Sequence, residues 1–121
     1  MKILRIVLLS LVAVGLIFSF DFASKHKPEE RGKTLFNDVK LGNGTSGKSC
    51  NSCHADGKGI EKAAAKKEFN IMGKSQKGLE EAVNFCIENA LKGKAIDAKS
   101  DDMKDITAYI KSKKKKVIEG C

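Results

Sequence analysis

Hydrophobic positions gather in separate stretches divided by polar, glycine-rich sequence, and the first is unlike the rest. Lys2 and Arg5 precede an apolar run from Ile6 to Phe20 broken only by Ser and Gly, after which the chain turns polar. That order of cations, apolar run and polar boundary is the plan of an export signal. Cleavage after Ala23 would leave residues 24–121 as the mature domain. Asp21 stands where a signal peptidase prefers a small residue, so the alternative is an uncleaved membrane anchor through residues 3–20.

The later stretches carry helical periodicity. Pro28 suits a first helical turn and Glu29 and Glu30 favour the positive end of the helix dipole. Gly32, Leu35, Phe36 and Val39 then share one face, which predicts a helix of about three turns. A glycine on that face is explained if another element packs closely there. LGNGTSG at 41–47 reads as a loop, ADGKG at 55–59 as a turn, IEKAAAKKEF at 60–69 as a short helix, and NIMGKSQKG at 70–78 as loop again. From Gly78 onward Leu79, Ala82, Val83, Cys86, Ile87, Ala90 and Leu91 form one stripe, so Cys86 faces inward in a helix ending near Gly93. Ser100 caps a last helix with Asp101 and Asp102 in its first turn and Met103, Ile106, Tyr109 and Ile110 on its buried face. No strand-like alternation is visible, and the expected fold class is all-α.

Composition sharpens the picture at two points. The chain has no Trp and one Tyr, so a domain of this size is short of large apolar groups and something else must complete its core. Its formal net charge is +8, which favours acidic partner proteins or anionic head groups. Aromatic and basic residues are not interleaved as in nucleic-acid binders, and no nucleic-acid partner is expected. The KSKKKK run at 111–116 reads as a solvated helix end or a basic docking patch, and His26 as a linker residue.

Chemistry concentrates in GKSCNSCHADGKG, residues 47–59. A dithiol redox motif would need a βαβ setting, which the helical pattern denies. Structural zinc would need further ligands at matching spacing, and neither His26 nor the isolated Cys86 and Cys121 supplies them. Cys-x-x-Cys-His fits covalent c-type haem, with Cys50 and Cys53 forming thioethers and His54 ligating the iron as proximal base. Haem is also a large apolar plate that would complete the undersized core.

These residues resemble the class I cytochromes c over most of 29–115: RGKTLFND is similar to that family's first helix, CNSCH to its haem motif, and SDDMKDITAYIKS to its C-terminal helix. The resemblance implies a small fold of three to five helices wrapped around one covalent haem, with the first and last helices crossing at Gly32 against Tyr109. It also implies a distal methionine in the loop before the last helix, and here the chain departs, because that loop reads GKAIDAKS with Ile96 in the place of the methionine.

Cys86, on the inward face of its helix, and Met72, in a loop beside Gly73, are the candidate distal ligands, while Met103 falls on a core stripe. The site could also be unfilled or otherwise filled. CIENALKGKAIDAKSDDMKDITAYI resembles a segment of the haem-binding A subunit of thiosulfate-oxidising systems, where a cysteine sulfur ligates iron. Cys121 could instead pair with Cys86 or with another chain.

The function these features imply is a periplasmic or otherwise extracytoplasmic monohaem cytochrome that carries electrons and docks an acidic redox partner. The alternatives are a haem enzyme subunit of sulfur-compound oxidation with cysteine-ligated iron, and a haem sensor with an open distal site.

Overall fold

The computed structural model describes residues 27–114. The expected signal or anchor, His26, Cys121 and the end of the lysine run lie outside the described residues. Among the described residues no helix is long and apolar enough to cross a membrane.

Helix α1 (Pro28–Asn37) opens on its proline and carries Glu29 and Glu30 in the first turn. It stops short of Val39, which is 39% exposed, because Asp38 is already in an extended conformation. Helix α2 is the single turn Cys50–Cys53, capped by Ser49, whose backbone N–H donates to Ser52 Oγ at 3.0 Å. Helix α3 spans Leu79–Asn89, and helix α4 spans Asp101–Ser112 with the Ser100 hydroxyl accepting from Met103 N–H.

The expected all-α class needs correction. Strands β1 (Glu68–Ile71) and β2 (Lys74–Lys77) form an antiparallel hairpin, closed by Met72 and Gly73 at φ +53° and +76°. Two consecutive residues at positive φ are the signature of a two-residue turn that matches strand twist. Only β1 alternates, with Phe69 and Ile71 turned toward the interior, while β2 reads KSQK and has no apolar position to betray its period.

The short helix expected over 60–69 is likewise replaced. Ala63–Ala65 makes one 3₁₀ turn, Lys66 is extended, and Glu68 begins β1. Ala63 is buried there against the core, so packing overrides the helix preference of its alanines.

Helix α3 also ends before Gly93. Lys92 at φ +56° leaves the helical region, and Leu91 and Gly93 N–H close onto Cys86 and Ile87 carbonyls. Gly93 is a glycine because a Cβ there would lie 2.5 Å from the Gly42 carbonyl oxygen.

The core is built by α1, α3 and α4, with Phe36, Ile87, Leu91, Met103 and Ile106 almost wholly buried. Helices α1 and α4 cross in close contact. A Cβ on Gly32 would lie 2.8 Å from Tyr109 Cβ and closer still to the Asp105 carbonyl oxygen. The Phe36 and Tyr109 rings meet edge to face at 5.1 Å. The glycine on the apolar face of α1 is thus a contact point between backbones, as the sequence suggested.

Candidate functional site

The core is not solid. A cavity of about 280 Å3 opens inside it, lined by Phe36, Ile60, Ala63, Phe69, Leu79, Val83, Leu91 and Ile110 among others. Cys50, Cys53, His54 and Cys86 line the same cavity. Residues far apart in sequence, one group from α2 and its exit and the other from α3, therefore face a common apolar space.

The local chain path fixes the histidine. His54 N–H donates to the Cys50 carbonyl at 2.9 Å, which holds it at the end of α2. Asp56, Gly57 and Gly59 then take φ of +53°, +84° and +86° and curl the backbone back on itself. Asp56 is helped by its own N–H, which donates to Asn51 Oδ1 at 2.9 Å. The curl brings the Lys58 carbonyl oxygen to 3.1 Å from His54 Nδ1. A carbonyl can only accept, so this contact calls for the proton on Nδ1, which in the neutral ring leaves Nε2 with its lone pair. A backbone partner of this kind is what orients a metal-binding imidazole and selects its tautomer.

The thiols sit in different surroundings. Cys53 is exposed, whereas Cys50 and Cys86 are partly buried. Burial pushes the Cys50 thiol up to about 12, with the neighbouring Cys86 sulfur adding to the shift. Burial and then the Cys53 sulfur raise the Cys86 thiol as well. An apolar space disfavours thiolates that have no cation to meet.

Other predicted positions fall outside. Met72 is 80% exposed at the hairpin turn and does not line the cavity. Met103 is fully buried in the core, as its place on the helical stripe implied. Ile96 packs against the core edge, and its loop is tied to α3 by the Asn84 side chain. Asn84 Nδ2 donates to the Ile96 carbonyl and Ile96 N–H donates to Asn84 Oδ1, each at 2.9 Å. No sequence periodicity announces this clamp, nor the Lys58 carbonyl, which is a backbone group.

The donor set fits a haem. Two thiols and an imidazole whose Nδ1 faces a backbone carbonyl line an apolar cavity, a further sulfur lines it from another helix, and no grouping of three or more Cys, His, Asp or Glu able to hold a lone metal ion occurs among the described residues.

The family model described as SoxA/TsdA, cytochrome c domain, matches residues 31–117. No curated protein and no solved structure matches the chain.

Proposed function

The chain belongs to the SoxA/TsdA cytochrome c domain family, and from that premise we propose that it is a monohaem cytochrome passing single electrons between extracytoplasmic redox partners. Membership makes it a haem-containing electron-transfer protein with covalently bound haem c. We propose one haem, a periplasmic setting and acidic redox-protein partners. The observation that carries it is the convergence of Cys50, Cys53, His54 and Cys86 on one apolar cavity.

When bound, the haem supplies an iron that alternates between ferric and ferrous, which stores and releases one electron. Cys50 and Cys53 would hold the macrocycle through thioether bonds. His54 would ligate through Nε2 while Lys58 keeps its Nδ1 proton engaged. Cys86 would offer the iron a further sulfur donor from α3, as a thiolate, since a ferric centre would offset the penalty that burial places on that form. Phe36, Val83, Leu91 and Ile110 would give the haem apolar surroundings, and burial is one of the levers on a haem potential.

The segment from Lys58 to Lys77 forms one wall of the cavity and carries Lys58, Lys62, Lys66, Lys67, Lys74 and Lys77 against Glu61 and Glu68. That excess would steer an acidic redox protein toward the haem edge, faster at low salt than at high.

Cys86 also favours a second reading, a haem enzyme subunit of sulfur-compound oxidation. Carbon monoxide separates the two. A six-coordinate low-spin haem that ignores the gas supports the carrier, and ready binding favours catalysis or sensing. The test of the whole reading is the mass of the mature protein, which should include one haem that survives denaturation. A mass lacking that increment refutes it.

A further inference from the structure

Lys66 is the one lysine or arginine lining the cavity among the described residues, and neither Asp nor Glu lines it. The remaining polar groups there are the ligand-type side chains, Ser49, whose hydroxyl lies 3.4 Å from Ser52 Oγ, and Asn70 on β1. Lys66 follows directly on the 3₁₀ turn, where its own N–H donates to the Ala63 carbonyl at 3.2 Å and its backbone is extended. Among the described residues it makes no salt bridge. Both Lys66 and its neighbour Lys67 are exposed, but Lys67 is not part of the lining.

A haem is not wholly apolar. It carries propionate side chains, which are anionic at neutral pH, and an anion brought against an apolar wall is unfavourable unless it stays wet or meets a cation. We infer that Lys66 pairs with a propionate carboxylate of the bound haem, with Asn70 as a further polar group in the same lining. The inference rests on the haem reading above and adds to it a cofactor-binding cation that no part of the Cys-x-x-Cys-His motif reveals.

The pairing has an electrostatic consequence. A fixed positive charge near the macrocycle disfavours the ferric state, which carries one more positive charge than the ferrous, so Lys66 raises the potential. It also keeps its carboxylate ionised to lower pH.

The test is an equilibrium redox titration of the holoprotein across pH, in the parent and in Lys66→Gln, Lys66→Glu, Lys66→Arg and Lys67→Gln. Mass spectrometry after denaturation first establishes that haem is attached. The expected result is a potential that falls in Lys66→Gln by more than in Lys67→Gln, falls further in Lys66→Glu, and is restored in Lys66→Arg. The pH region in which the potential varies should move upward in Lys66→Gln, with the visible absorption bands unchanged. If haem is attached and Lys66→Gln matches Lys67→Gln in both potential and pH profile, the pairing is overturned while the cytochrome reading stands. If no haem is attached, both fall together.

Discussion

Asn84 and Ile96 are joined by a reciprocal pair of hydrogen bonds, the amide side chain of one spanning the N–H and C=O of the other at 2.9 Å each. The loop that precedes α4 is thereby fastened to α3, two residues before Cys86 on the same helix. Asn84→Ala removes both bonds, and at about 0.5–1.5 kcal/mol net apiece the loss of stability should be about 1–3 kcal/mol. Hydrogen exchange at the Ile96 amide should accelerate at the same time. An unchanged exchange rate would show that the clamp is dispensable.

Gly32 tests the crossing of α1 and α4. Gly32→Ala places a methyl against the Asp105 carbonyl and Tyr109 Cβ, groups that belong to a helix and cannot swing aside. Overpacking of this kind destabilises by about 1–3 kcal/mol, and in a domain of this size each kcal/mol lowers Tm by about 4–8 °C. Gly32→Leu should do worse. A variant melting like the parent would contradict the contact.

Arg31 donates to Asp102 and, at 2.6 Å, to Asp105, whose side chain is only 4% exposed. The hydrogen bonds to Asp105 and then Asp102 raise the Arg31 pKa further above its usual value, so the guanidinium stays charged. Lys27 makes its ion pair with Glu30 on the open surface, where such pairs contribute little. Thermal melts should therefore show a larger loss for Arg31→Gln than for Lys27→Gln. Equal losses would place the Arg31 pair among ordinary surface contacts.

Cys86 and Met72 make opposite predictions about the distal side of the iron. Cys86→Ser should alter the ferric absorption and paramagnetic resonance spectra and admit exogenous ligands, whereas Met72→Ala, at the exposed hairpin tip, should do neither. Cys86→Met, offering a neutral thioether, should raise the potential. Should Met72→Ala alone abolish the low-spin signature, the ligand would be the methionine.

What the sequence revealed depended on how local each feature is. Cys50, Cys53 and His54 declare themselves because haem attachment needs them within one turn of chain. The stripes of α3 and α4 stand out because each repeats its period several times, and Leu79, Val83, Ile87 and Met103 are buried as their spacing implied. The hairpin stayed hidden because four-residue strands carry too little alternation and Lys74–Lys77 carries none. Asp105 was hidden for a different reason: a carboxylate reads as a surface group until Arg31, 74 residues away, is seen to reach it. The cavity itself is a tertiary object, and composition could report only that the core was short of material.

The crossing of α1 with α4 also sets an order of events during biogenesis. It joins the first and last helices of the described domain, so a chain emerging from its N-terminal end must keep Gly32 and Phe36 uncovered until residues 101–112 have followed. Contacts of such long sequence separation carry a loop-closure cost that slows their formation. The cysteine motif lies between these two helices in the chain, so haem attachment to a chain whose helix pair has not yet docked would meet both thiols without that clasp in the way. A chain ending at Lys99 should accordingly remain sensitive to protease within α1, and protection there without α4 would argue that the domain closes by another route.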